Sequence, residues 1–401
     1  MNKKTLRDID VYGKRVLVRV DLNVPLDADT GTISDDTRIL SVIPTIKYLT
    51  DKEARVILCS HLGRPGGKLV DGLRLAPVAK RLSEILASPV EMAVDCIGPQ
   101  VEEAVGRLKA GDILLLENLR FHPEEEINDP SFAEALSRLA DVYVNDAFGT
   151  AHRTHASTVG VTKYLPAVAG LLMEKEINVM DKALNDPERP FAALIGGAKI
   201  NSKIGVLEYI LDKVDSLLIA GGMSSTFLRA LHYDVGQSSV KDDKEDKVGL
   251  AKLLMEKAAE KGVHLLLPSD VVVADKFSAN SRSRTVSVDN VPASWYIMDI
   301  GPRTIELFEA KLRKNKTIIW NGPVGVFEFP KFSMGTRAMA NVMAGLDVTT
   351  VIGGGSTAEA IVEMGLADKM SHISTGGGAS LKFLEGKTLP GVVVLQDKEA
   401  G

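Results

Sequence analysis

The strongest constraint on this chain is the alternation of short apolar runs with amphipathic helical stretches. Runs at 15–20, 55–60, 113–117 and 141–145 are rich in Val, Ile and Leu, and 37–49, 75–86 and 132–139 between them repeat apolar residues at helical spacing. The second half continues the scheme with runs at 191–195, 216–220, 264–267, 317–320, 349–352 and 372–374. Continuous apolar runs, rather than alternating ones, indicate strands covered on both faces, and helices between them make the sheet parallel. The chain of 401 residues is long enough for two such domains. The pattern therefore predicts an α/β protein of two doubly wound, parallel-sheet (Rossmann-like) domains, 1–170 and 187–389. The stretch 171–186 reads as one helix, with Pro166 ahead of it and Asp186-Pro187 stopping it. A helix joining two α/β domains is expected to act as a hinge. No fixed-period repeat is present.

Composition excludes several roles. A net charge of −5 argues against a nucleic-acid partner. Cys59 and Cys96 are the only cysteines, which leaves no disulfide framework and leads one to expect no thiolate zinc site. The first residues lack an apolar leader core, and no 18-residue apolar run occurs, so a cytoplasmic protein without a membrane partner is expected. No long apolar helix demands a partner, so a monomer is expected. The charged run 241–247 reads as a solvated helix start.

Sites in open parallel sheets lie at the carboxyl ends of strands. In the first half those ends are basic and polar. They are Arg19-Val20-Asp21-Leu22-Asn23-Val24-Pro25, Ser60-His61-Leu62-Gly63-Arg64-Pro65, Glu117-Asn118-Leu119-Arg120-Phe121-His122 and Asn145-Asp146-Ala147-Phe148-Gly149, the last followed by His152, Arg153 and His155. Arg38 opens the helix after the first strand. Arginine forks match phosphate and carboxylate, so arginines converging on one rim suggest an anion site. The histidines suit donors to that anion better than a metal, given so much neighbouring positive charge.

In the second half the strand ends are glycine-rich. Gly196-Gly197 follows the 191–195 run and leads into Lys199 and Lys203, four residues apart and expected on one face of a first helical turn. Gly221-Gly222, Asn321-Gly322-Pro323, Gly353-Gly354-Gly355-Ser356-Thr357 and Gly376-Gly377-Gly378 close other strands. Glycine turns admit close approach of backbone to a ligand, and helix starts offer free N–H donors to phosphate. Gly386-Lys387-Thr388 ends like a Walker loop, but Leu381 stands where its first glycine belongs. Gly353, Gly355 and Ala358 match a loose dinucleotide fingerprint, but the next strand ends in Ser374-Thr375 instead of an acidic residue. A basic anion-binding half and a nucleotide-binding half suggest phosphoryl transfer, which needs positioning and charge stabilisation.

Taken together, the four first-half strand ends and Trp320-Asn321-Gly322-Pro323 resemble the signatures of the phosphoglycerate kinase family, and the similarity runs in order through nearly the whole chain. The resemblance implies reversible transfer between 1,3-bisphosphoglycerate and ADP, giving 3-phosphoglycerate and ATP with Mg2+. It implies that Asp21, Leu22, Asn23, Arg38, His61, Leu62, Gly63, Arg64, Arg120 and Arg153 bind the phosphoglycerate. It likewise implies that Gly197, Lys199, Lys203, Asn321, Glu328, Gly353, Gly354, Gly355, Ser356 and Thr357 bind the nucleotide, Glu328 at the ribose. Arg38, Lys203 and the helix start at Gly376 and Gly377 match the groups that stabilise the transferring phosphoryl. The tail, 390–401, is expected to return to the first domain. Two departures stand out. The family usually has aspartate at Ser202 and at Ser356, the latter associated with the nucleotide's magnesium, so Ser356 is the one candidate metal ligand. The alternative is a non-catalytic relative that binds nucleotide or phosphoglycerate.

Overall fold

The computed structural model describes residues 2–27, 30–238 and 247–398. The chain divides into two compact units, Met1–Asn178 with Thr388–Gly401, and Val179–Lys387, so the division falls inside the helix Leu171–Asn185. In the first unit, β1 (Arg15–Arg19), β2 (Arg55–Cys59), β3 (Val90–Met92), β4 (Ile113–Leu115), β5 (Val142–Asn145) and β6 (Ala167–Ala169) form a sheet ordered β3-β4-β2-β1-β5-β6. Every pairing in it is parallel. In β1 and β2 every residue after the first is buried, so both faces are covered, as continuous apolar runs require. Val16, Val18, Val56, Leu58 and Leu115 from the strands pack with Ile39, Val42, Ile46, Val78 and Leu82 from the helices Thr37–Asp51 and Ala76–Leu86.

The second unit has two sheets among the described residues. The larger comprises β7 (Phe191–Ile195), β8 (Ser216–Ile219), β9 (His264–Leu266), β13 (Thr317–Asn321), β14 (Thr349–Gly353) and β15 (His372–Ile373), in the order β15-β14-β13-β7-β8-β9 and all parallel. Trp320, Leu194, Leu218 and Ile352 anchor its core with Phe308, Met339 and Ile361 from the helices. The smaller sheet is antiparallel, β11 (Ser283–Ser287), β10 (Asp270–Ala274) and β12 (Tyr296–Ile300).

The α/β architecture of two parallel sheets is the one the apolar runs predict. The antiparallel sheet is not. Its edge strand β11, Ser-Arg-Thr-Val-Ser, has no fully buried residue and so no apolar run to read, whereas β10 carries an apolar run at 271–274 that sequence reasoning passed over. The two lysines also differ from expectation. Lys199 precedes a short 3-10 turn, Ile200–Ser202, and Lys203 sits between that turn and the helix Ile204–Ile210, so they do not share a face of one α-helical turn. The tighter turn separates them: Lys199 is exposed and Lys203 is half-buried. Residues 241–246 of the predicted solvated helix start lie outside the described residues, and Lys247 opens the helix Lys247–Glu260.

Candidate functional site

At the carboxyl end of the first unit's sheet, the chain leaves β1 in a loop and Asp21 accepts a charge-assisted hydrogen bond from Arg38, in the first turn of Thr37–Asp51. Burial works to raise the Asp21 carboxyl, but His61, Arg38 and Arg19 outweigh it and hold it below the usual range. Asn23 turns the other way, its Oδ1 accepting the Gly63 N–H at 2.8 Å. Gly63 O in turn accepts from Arg120 at 2.8 Å. Leu22 N–H donates to Ser60 Oγ at 2.9 Å, and Leu62 exchanges two hydrogen bonds with the Asn118 amide, at 3.2 and 2.8 Å. The ends of β1, β2 and β4 are thus laced together by side chains, which fixes where Asp21, Arg38, His61 and Arg120 point. Arg64 is exposed and Arg153 half-buried, neither with a carboxylate partner among the described residues.

A buried polar chain lies beneath this rim, and sequence reasoning missed it. Arg19, placed on the rim by its position, is fully buried and points inward. It reaches Ser157 Oγ at 2.9 Å and His61 Nδ1 at 3.1 Å. Ser157 donates to Glu125 at 2.6 Å, and His155 Nδ1 lies 3.8 Å from the same carboxylate. Burial and the surrounding arginines push the His61 imidazole well below its ordinary value and take His155 down to about 4, so both rings are neutral at pH 7. A neutral ring still offers one N–H to an anion. Nothing in the spacing of residues 19, 125 and 157 signals this chain, because it is assembled only by the fold.

The second unit holds a cavity of about 480 Å³. The turns after β7, β8 and β13 form one wall and the antiparallel sheet the other, with Gly197, Lys199, Glu328 and Ser356 at its lining beside the apolar Phe277, Met298 and Val324. The wall exists because glycine lets three turns touch. A Cβ on Gly196 would come within 2.3 Å of Pro323 O, and Gly197 N–H donates to that same oxygen at 3.0 Å. Next to the cavity lining, Lys203 donates to Asn321 Oδ1, while Asn321 Nδ2 is buried with no hydrogen-bond partner. Gly353 packs against that nitrogen, and Gly354, at φ +89°, turns the chain into the helix Gly355–Glu363. Thr357 is buried, its Oγ1 accepting the Gly322 N–H at 2.8 Å. Gly376 and Gly377 precede the helix Gly378–Leu384 at the end of β15, beside β14. Burial lowers Lys203 to about 8, with only Glu385 pulling it back. Asp299, which sequence reasoning passed over, also lines the cavity. Burial raises it to about 7 against two backbone donors, Ile300 N and Gly335 N.

Of the two serines, only Ser356 is on the cavity lining. Ser202 donates to Lys199 O at 2.8 Å.

A parallel-sheet unit with a basic rim and a second with a glycine-walled, lysine-edged cavity match the layout of a two-domain phosphotransferase. The sequence profile of the phosphoglycerate kinase family matches residues 6–387. The chain is 57% identical to the phosphoglycerate kinase of Gloeothece citriformis and 56% identical to that of Moorella thermoacetica, over 99% of this chain and all of each relative. It superposes on solved phosphoglycerate kinases from Coxiella burnetii (TM-score 0.87, 40% identity) and Pyrococcus horikoshii (TM-score 0.85, 34% identity), covering 98% of both chains in each case. The chain belongs to the phosphoglycerate kinase family.

Proposed function

We propose that the chain catalyses reversible phosphoryl transfer from 1,3-bisphosphoglycerate to ADP, giving 3-phosphoglycerate and ATP. The observation that carries this reading is the family match, which spans both the basic rim and the cavity. On the first unit, Asp21, Asn23, His61, Arg64, Arg120 and Arg153 orient the glycerate, with the Leu22, Leu62 and Gly63 backbone shaping the loops. Arg64 and Arg153 suit its charged groups because no carboxylate among the described residues pairs with them. On the second unit, the apolar part of the cavity takes the base, Glu328 the ribose, and Gly197, Lys199, Lys203, Asn321 and Gly353 to Thr357 the phosphates. The unpartnered Asn321 Nδ2 is a donor waiting for an acceptor. Arg38, Lys203 and the helix start at Gly376 and Gly377 stabilise the phosphoryl group in transit. No protein nucleophile is required, since charge stabilisation and alignment account for this chemistry.

Transfer of this kind requires reacting atoms about 3–3.5 Å apart, so the two ligand rims must come together. The helix Leu171–Asn185 is the hinge for that movement. Small-angle scattering should give a smaller radius of gyration with 3-phosphoglycerate and an unreactive ATP analogue together than with neither. An unchanged profile rejects the hinge.

The donors at the cavity fit magnesium only in a reduced form. Ser356 supplies a hydroxyl, Glu328 is exposed, and both Asp299 oxygens already accept backbone N–H groups. Magnesium binds through few protein ligands, substrate phosphates and water. It would rest here chiefly on the nucleotide, with Ser356 beside it, and would neutralise phosphate charge. The protein's place is the cytoplasm and its state a monomer. A coupled assay with 3-phosphoglycerate and MgATP tests the function. Turnover is expected, and its absence at every magnesium concentration rejects the reading.

A further inference from the structure

We propose that Asp95, Cys96 and His122 form a binding site for one thiophilic divalent cation of the zinc class, on the first unit and separate from the nucleotide cavity. The candidate ligand atoms of the three residues all lie within 4.8 Å of one another. The fold sets this distance. β3 and β4 pair in parallel, and two further hydrogen bonds continue past their ends, from Ala93 N to Leu115 O at 2.9 Å and from Glu117 N to Asp95 O at 3.3 Å. The segment after β3 is thereby held against the loop that carries His122.

Each ligand is also oriented. The His122 ring packs on Phe132, centroids 5.3 Å apart, and its Nε2 lies 2.8 Å from Asp95 Oδ1. The Cys96 N–H donates to that same oxygen at 2.7 Å, which ties the carboxylate to the thiol's own backbone. Cys96 is buried at the base, while the His122 and Asp95 side chains are 27% and 46% exposed. An ion can therefore enter from solvent and keep water as a fourth ligand.

The donor set selects the ion. A thiolate, an imidazole and a carboxylate suit zinc or its congeners, whereas magnesium and calcium prefer all-oxygen sites. Bond lengths of about 2.0–2.3 Å in a tetrahedral zinc site put ligand atoms roughly 3.5 Å apart, so the cluster closes with a contraction of about an ångström. On binding, the Cys96 thiol proton passes to solvent, the His122 Nε2 proton leaves to solvent from a charged ring or moves to Nδ1 of a neutral one, and two bonds to the metal replace the His122–Asp95 hydrogen bond. The cysteine count alone misses the site, because a single thiol with Asp and His partners follows no zinc-finger spacing. The ion would join the two loops, and His122 lies two residues beyond Arg120 of the anion rim.

Cobalt(II) is the probe, since its thiolate complexes absorb in the near ultraviolet. The purified full-length chain, stripped with chelator and titrated with cobalt, should take one ion with a thiolate-to-cobalt charge-transfer band that zinc abolishes. Cys96→Ala should lose the band, and His122→Gln should weaken cobalt binding about tenfold or more. Zinc should raise the unfolding midpoint of the parent chain and not that of His122→Gln. The proposal is overturned if the parent chain shows no thiolate band, or if the band survives in Cys96→Ala, which would place the ion on Cys59. Should Cys96→Ala not fold, unchanged cobalt affinity in both Asp95→Asn and His122→Gln overturns it equally.

Discussion

Lys203, half-buried and proposed to meet the nucleotide's phosphates, would tie ADP binding to pH. Burial takes its ammonium down to about 8 in the free protein. At pH 8 about half the molecules therefore carry a neutral amine, and an arriving phosphate favours the charged form. ADP binding at pH 8 should take up roughly half a proton, and affinity should fall as pH rises further. Calorimetry in two buffers of different ionisation enthalpy measures the uptake, which should vanish in Lys203→Arg, whose guanidinium stays charged. Equal uptake in the variant would move the effect to another group. Ser356 carries the second prediction at this scale. A carboxylate at its position would add attraction to a nearby cation, about 1 kcal/mol per charge pair even in water at 4 Å. Ser356→Asp should lower the magnesium concentration for half-maximal rate by roughly tenfold. An unchanged requirement would remove Ser356 from the metal's surroundings.

Asp146 plays the corresponding part for an element. It caps the helix Leu171–Asn185, its Oδ1 accepting from Leu172 N at 2.9 Å and Met173 N at 3.1 Å. Burial raises its carboxyl to about 6, against hydrogen bonds from Thr45, Met173 and Leu172 that lower it. Between about pH 4 and pH 6 the folded state therefore holds a proton that the unfolded chain has released, so this group makes stability fall as pH rises through that window. Asp146→Asn keeps an oxygen acceptor for both N–H groups and removes the charge. Relative to the parent chain, the variant should gain stability between pH 4 and pH 7, by roughly 2–3 kcal/mol for a shift of about two units. Urea unfolding at the two pH values checks this, and a difference that does not change with pH refutes it. Elements also show what is legible in a sequence. β7, at Phe191–Ile195, is readable because all five residues are buried and all five are apolar. β3 and β11 have no fully buried residue, and β6 is a three-residue strand with two alanines, so none of them presents a Val/Ile/Leu run. The rim residues were legible because loops after parallel strands are where function gathers. The Arg19–Ser157–Glu125 chain was not, because its contacts join residues 138 and 32 positions apart and so leave no local pattern.

For the molecule as a whole, the first unit is completed only by the far end of the chain. Asn145 Nδ2 donates to Gly391 O at 2.9 Å, Gly391 N to Ala151 O at 2.8 Å, Gln396 N to Ala167 O at 2.9 Å and Lys4 N to Gln396 O at 2.7 Å. Lys3 adds hydrogen bonds to Val393 O and Leu395 O, and an ion pair to Asp397. Leu389 and Leu395 are buried. The exposed ion pair adds little, but the two leucines contribute about 2 kcal/mol each and each hydrogen bond about 1 kcal/mol. Removing residues 388–401 should therefore destabilise the first unit by at least roughly 5 kcal/mol, comparable with the stability of a whole domain. The second unit should be untouched. The two tryptophans, Trp295 and Trp320, both belong to that second unit, so their fluorescence reports it alone while far-ultraviolet circular dichroism reports both units. In the truncated chain, ellipticity should begin to fall at lower temperature than tryptophan fluorescence changes, with the fluorescence midpoint near that of the parent. If both signals move together, the two units share one unfolding transition. If neither moves, the tail's hydrogen bonds and leucines do not hold the first unit together.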